Sequence, residues 1–315
     1  MKVRVVSKSL VAADIVAFEL AAMGDEKLPE FSAGSHIDVH LPDRVIRQYS
    51  LCNSPQEAQR YRIAVLRDRH SRGGSIAMHA LDEGDTVEIS RPRNRFALAD
   101  EAGHSVLLAG GIGITPLLSM AEQLAANGLS FEIHYCARSP ACAAFLPRLA
   151  KPDMKDKVKL YFSQSGGARI DFAEALSNPD PGSHVYVCGP GRFCDAALAQ
   201  AEQSGWLPAN VHSERFSASL ENAGGQSRAF KVKLASSGRI IEVNAGETVV
   251  AALARHGIEI AMSCSQGVCG TCLTRVLDGE PDHRDVYLTD EEKAANDQFL
   301  PCCSGAKSAL LVLDL

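Results

Sequence analysis

Three cysteines, Cys264, Cys269 and Cys272, stand in a C-x4-C-x2-C run, and Cys302 follows after 29 intervening residues. This is the plant-type spacing for a 2Fe-2S cluster, in which four thiolates hold two irons. Gly267 and Gly270 fall inside the run, where a chain wound round a cluster needs positive φ or close backbone approach and where bare amides can face sulfur. A zinc site would more usually show two C-x2-C pairs, and a disulfide is disfavoured in a reducing compartment. Cys303 adjoins Cys302, and the spacing favours Cys302 as the fourth ligand.

Four further strings carry chemistry. Arg47-Gln48-Tyr49-Ser50-Leu51 ends a strand-like run and suits a flavin: a guanidinium forks onto phosphate, a phenol ring lies on the isoalloxazine, and a hydroxyl reaches a ring nitrogen or carbonyl. Arg72-Gly73-Gly74-Ser75 opens a short helical stretch, where glycine amides and a serine hydroxyl make a phosphate seat. Gly110-Gly111-Ile112-Gly113-Ile114-Thr115-Pro116 follows a strand and opens a helix, the place of a dinucleotide pyrophosphate, with Pro116 where a third glycine is usual. Cys188-Gly189-Pro190 ends another strand. Each string alone also suits an ordinary strand or glycine turn.

The elements that must position these residues fall into three blocks. Residues 1 to about 100 hold the runs HIDVHL, VIRQYSL, RYRIAVLR and DTVEIS between turn residues, the pattern of a small antiparallel β-barrel or sandwich. From about 104, SVLLAGG, ITPLLSMAEQLAANG, FEIHYCA, VKLYFS, HVYVCGP and RFCDAALAQAEQSG alternate strand with helix, which calls for a parallel sheet that binds ligands at the carboxyl ends of its strands. In the first of these helices Thr115 is the expected cap, Pro116 the first helical residue and Gly128 the stop. Residues 217–228 are small and polar and read as a linker; an α+β unit follows to Leu315. The domains expected are 1–101, 102–225 and 226–315.

A length of 315 residues suits about two or three domains. The N-terminus, interrupted by Asp14 and Glu19, has neither a signal-peptide core nor a bilayer span, so a cytoplasmic protein is expected. The net charge of −6 argues against a nucleic-acid binder. Eight acids against Arg284 and Lys293 crowd residues 278–297, whereas residues 41–95 carry ten Arg and seven acids. The acidic stretch is a candidate for steering a basic partner or a solvated helix face, and the arginine-rich one for holding an anion. Six cysteines outside the cluster run read as small buried hydrophobes.

Taken in order, RQYSL, RGGS, GGIGITP, CGP and CSQGVCGTC resemble the phthalate dioxygenase reductase family, which includes reductase components of vanillate O-demethylases, over essentially the whole chain. The resemblance implies a β-barrel that binds FMN, an α/β domain that binds NADH, a C-terminal β-grasp ferredoxin domain, and delivery of single electrons to a Rieske-type terminal oxygenase. It assigns Arg47, Tyr49, Ser50 and Leu51 to the flavin, with Gly73, Gly74 and Ser75 toward its phosphate, and Gly111, Thr115, Pro116, Cys188, Gly189 and Pro190 to the nucleotide. It also sets Phe216 of S-E-R-F near the flavin ring, with Ser50 and Cys188 at the reacting centre. Two positions depart from the family. Ser163-Gln164-Ser165 replaces acidic residues suited to ribose hydroxyls, which leaves NADPH open beside NADH, and Gly305 replaces a common arginine after the last ligand.

The function that follows is a relay in which a nicotinamide hydride is split into single electrons by flavin and exported by the cluster. Plant-type clusters lie near about −400 mV and Rieske centres at roughly −150 to +300 mV, so the onward step is downhill by about four decades or more at about 59 mV per decade. An FAD-dependent reductase serving another ferredoxin-dependent acceptor and a non-catalytic iron–sulfur sensor are the alternatives.

Overall fold

A computed structural model describes every residue except 25, 43–44, 58, 70, 72, 165 and 217–227, with residue 290 lacking a described side chain. Nearly all of the expected linker, together with Arg72 and Ser165, therefore lies outside the described residues. The chain divides into two compact units, residues 1–216 and 217–315.

The first unit begins with an antiparallel sheet of β1 (Lys2–Ala12), β2 (Ile15–Ala22), β3 (Ser35–His40), β4 (Ile46–Ser50), β5 (Tyr61–Leu66), β6 (Thr86–Ile89) and β7 (Arg93–Asn94), with α1 (Gly74–Ala80) between β5 and β6. The strand order is β4-β3-β6-β1-β2-β5, with β7 on β3. The sheet curls so that the Cys52 amide, just beyond β4, donates to the Arg62 carbonyl of β5 at 2.8 Å. Phe18, Ile37, Ile63 and Met78 fill the interior at 0 % exposure. The four runs picked out by alternation are β3 to β6. Alternation misses β1 because register shifts between Val5 and Ser7 and between Leu10 and Ala12 break its period, and misses β2 because it is apolar on both faces.

A parallel sheet follows: β8 (His104–Gly110), β9 (Ser130–Ala137), β10 (Val158–Phe162), β11 (Ser183–Gly189) and β12 (Val211–Arg215), in the order β10-β9-β8-β11-β12. The order reverses between β8 and β11, which opens a ligand crevice at their carboxyl ends. Its helices are α2 (Ile114–Ala126), the one-turn α3 (Leu146–Leu149) and α4 (Phe172–Ala175), and α5 (Gly191–Gln203). Thr115 does not cap α2. A 3-10 turn over Gly111–Gly113 runs straight into the helix, so Gly113 is the N-cap, the Thr115 hydroxyl donates to the Ile112 carbonyl at 3.0 Å, and Pro116 is the third helical residue. At the other end Gly128 takes φ +67, as a helix stop should. Buried bonds fasten the two sheets together: Ser119 Oγ donates to the Asn53 carbonyl at 2.8 Å, and Arg148, paired with Glu122, donates to the Cys52 carbonyl at 2.9 Å.

The second unit is α+β. It comprises β13 (Phe230–Leu234), β14 (Ile240–Val243), α6 (Val249–Arg255), β15 (Thr274–Asp278), β16 (Pro281–Asp282), α7 (Asp290–Ala295), β17 (Gln298–Phe299), β18 (Gly305–Ala306) and β19 (Leu310–Leu313). Its main sheet runs β14-β13-β19-β15-β17, with β13 and β19 parallel. Thr248 caps α6 by accepting from the Ala251 amide at 3.2 Å, and the helix buries Val249, Ala252 and Leu253 against the sheet. No helix among the described residues is long and apolar enough to cross a membrane.

Candidate functional site

In the second unit the four spaced cysteines come together as two pairs. The Cys264 thiol beside it, then burial, pushes Cys269 far above the ordinary thiol value; the Cys302 thiol, then burial, does the same to Cys272. Thiols paired this closely resist ionising together unless cations lie beside them, which is what two irons, one to each pair, would supply. Among the described residues no three such side chains converge as a single-metal cage. The loop also fits a cluster in its backbone: the Gln266 amide donates to Cys264 Sγ at 3.3 Å and the Thr271 amide to Cys269 Sγ at 3.5 Å. Both loop glycines are required. A Cβ on Gly267 (φ +73) would sit 2.5 Å from Cys303 Sγ, and one on Gly270 (φ +70) 2.0 Å from the Tyr287 ring. Asp285, 4 % exposed, pins the facing segment by accepting from the Tyr287 and Leu288 amides at 3.2 and 2.8 Å.

The acidic stretch is thinner than its count. Asp282 pairs with Arg284 and Glu280 with Lys307, Asp285 is buried, and Glu292 closes a capping box with Thr289 at the start of α7. Asp278, Glu291 and Asp297 remain exposed.

In the first unit β4 ends in the R-Q-Y-S string. Arg47 lies across the first residue of α1, where a Cβ on Gly74 would meet its Cγ at 2.5 Å and its Nε at 2.6 Å. The guanidinium is thereby set beside the Gly73–Gly74 turn, in which Gly73 has φ +89. Ser75 Oγ accepts from the Asp68 amide at 3.1 Å. Burial raises the Tyr49 phenol above its ordinary pKa, so it stays neutral. Leu51 is not brought to this surface: its side chain is 0 % exposed in the barrel core and its amide is spent on the Ser35 carbonyl at 2.8 Å.

The G-G-I-G and C-G-P loops meet where the parallel sheet reverses its order. A Cβ on Gly113 would stand 2.2 Å from the Cys188 carbonyl oxygen, and one on Gly189 3.0 Å from Gly110 Cα, whereas Gly111 (φ +56) faces open space. Thr115 (2 % exposed) and Pro116 are buried under the turn, leaving the Gly111 backbone as the part that faces outward. Cys188 is fully buried, which holds its thiol well above the usual range. Phe216, just past β12, is 38 % exposed.

Sequence reasoning missed Glu214. It stands beside Cys188 in the β11–β12 register, and Ser50 Oγ donates to its Oε2 at 3.3 Å across the two sheets. Burial, offset in part by the Ser50 bond, pushes this carboxyl up to about 7 from an ordinary 4.5. The S-E-R-F string drew notice for its phenylalanine, and only the parallel pairing of β12 with β11 reveals the glutamate's position. A raised carboxyl pKa means that the folded chain binds the proton more tightly, so this contribution to stability is whole below about 4.5 and is lost as pH rises through about 7. Urea melts of flavin-free protein should show wild type losing stability relative to Glu214→Gln between about pH 5 and about pH 8. A gap that does not change with pH would contradict it.

Two family descriptions match the chain, an oxidoreductase FAD-binding domain over residues 2–98 and a 2Fe-2S iron-sulfur cluster binding domain over residues 232–307. A vanillate O-demethylase oxidoreductase of Pseudomonas putida is 52% identical over 313 residues, 99% of this chain and 98% of that protein. The solved structure of a phthalate dioxygenase reductase, described as a modular structure for electron transfer from pyridine nucleotides to [2Fe-2S], superposes with a TM-score of 0.78 at 40% identity over 100% of this chain and 98% of that one. An intact type IV self-sufficient cytochrome P450 monooxygenase gives 0.84 at 40% identity over 100% of this chain, which spans 41% of that protein's length.

Proposed function

The chain belongs to the phthalate dioxygenase reductase and vanillate O-demethylase reductase family, and from that premise we propose that it carries electrons from NADH through FMN and its 2Fe-2S cluster to a Rieske-type terminal oxygenase or O-demethylase in the cytoplasm. It is an NAD(P)H-dependent flavin and iron–sulfur oxidoreductase, a reductase component of an oxygenase system. The carrying observation is the set of paired thiols, Cys264 with Cys269 and Cys272 with Cys302, on the same chain as a flavin-type sheet and a parallel-sheet crevice.

Flavin supplies the conversion of a hydride into single electrons, and the cluster their one-at-a-time export. The protein's share is placement. Arg47 and the turn of Gly73, Gly74 and Ser75 hold phosphate, Tyr49 offers its ring face, and Leu51 braces the string from the core. The Gly111 turn and the Gly189–Pro190 turn seat the nucleotide, with Thr115 and Pro116 holding the first turn in shape and Cys188 forming the crevice floor. Phe216 offers an aromatic face. When both electrons of a hydride have left singly, one proton remains. Glu214 Oε2, bonded to Ser50 Oγ and titrating near 7, is placed to hold it. The domain bounds 1–101, 102–225 and 226–315 go with this reading.

The matched description named for FAD supports a second reading with FAD as the flavin. Flavin released by heat should run as FMN, and kcat/KM should favour NADH over NADPH. Recovery of FAD would replace the first assignment, and preference for NADPH the second.

A further inference from the structure

β3 is flanked by β4 and β7, and the register sets His36 opposite Ser50 on one side and Arg93 on the other. Directly paired residues project to one face of a sheet, so the imidazole stands between the Ser50 hydroxyl and the Arg93 guanidinium. The charges around it are Asp38, Arg93 and Arg95. Asp38 is engaged by Arg93 and by Gln48, whose Nε2 donates to Oδ1 at 3.0 Å, and the Ser50 hydroxyl is given to Glu214. His36 is only 7 % exposed, yet among the described residues its Nδ1 meets no partner. Burial, reinforced by Arg93, lowers its pKa to about 4, so the ring is neutral and offers one donor and one acceptor nitrogen. A buried ring nitrogen left unmatched costs free energy on the scale of a whole hydrogen bond, and no group among the described residues supplies the match.

Resting on the reading that flavin lies against Tyr49 and Ser50, we infer that His36 is a flavin contact: its Nδ1 hydrogen-bonds a polar ring atom of the isoalloxazine beside Ser50, while Arg47 and the Gly73–Gly74 turn hold the phosphate end. The string that announces the flavin site thus has a partner on the neighbouring strand, eleven residues upstream of Arg47.

The test titrates full-length, cluster-loaded protein freed of flavin with FMN and with lumiflavin, which keeps the ring and lacks the ribityl phosphate, following flavin fluorescence. His36→Ala is expected to weaken both ligands about tenfold, the value of one hydrogen bond. His36→Asn, which keeps a donor and an acceptor, should recover part of that loss, and Arg47→Ala should weaken FMN alone. Unchanged binding of both ligands by His36→Ala overturns the inference, as does a loss confined to FMN. Wild type that binds no FMN would instead overturn the flavin reading beneath it. Should His36→Ala fail to fold, His36→Leu, closer in volume, carries the same comparison.

Discussion

Serine in place of Cys302 is expected to leave a yellow protein that oxidises NADH with ferricyanide but reduces the one-electron acceptor cytochrome c at least about a hundredfold more slowly. Cys302 is 6 % exposed and its thiol is paired with Cys272, so its loss leaves one iron with a single thiolate from the protein, too few for a four-coordinate ferric site. Flavin reduction depends on the first unit alone and should persist. Cys303→Ser is the control, because Cys303 Sγ lies against Gly267 and the Leu300 carbonyl and serine fills nearly the same space. The measurement is the iron content and the electron paramagnetic resonance signal of each reduced variant. An intact signal in Cys302→Ser with a lost one in Cys303→Ser would exchange the two assignments.

Arg47→Ala is expected to loosen FMN by about 2 kcal/mol, about thirtyfold in Kd, while the protein stays folded. A guanidinium bonded to a phosphate makes charge-assisted hydrogen bonds that alanine cannot replace. The effect is specific because the Arg47 stem lies directly on Gly74, so guanidinium and turn amides act as one seat. Fluorescence of FMN released on dilution reads the constant. A change of less than about twofold would place the phosphate elsewhere.

The cluster could be read from sequence because its ligands are close along the chain: three of four fall within nine residues, Cys264 to Cys272, and the glycines between them are there for local steric reasons. The same holds for α2 and its Gly128 stop. The start of α2 was displaced because a 3-10 turn has no side-chain signature that competes with a threonine followed by proline. Glu214 and His36 were invisible for a different cause. Each draws its meaning from a neighbour on another strand, Cys188 and Ser50 respectively, and strand register, which decides those neighbours, is not written in either string alone. The acidic stretch shows the limit of a summed charge: it does not reveal that Asp282 is paired with an arginine or that Asp285 and Glu292 accept from backbone amides.

The most direct measurement is an anaerobic titration of the purified holoprotein with NADH, followed by visible absorbance and by electron paramagnetic resonance. If one chain turns a hydride into single electrons and passes them to its own iron, the flavin band bleaches and a reduced-cluster signal grows as nucleotide is added, with no other electron source present. A flavin that bleaches fully while the iron stays oxidised, or a protein that NADH leaves unchanged, would contradict the account.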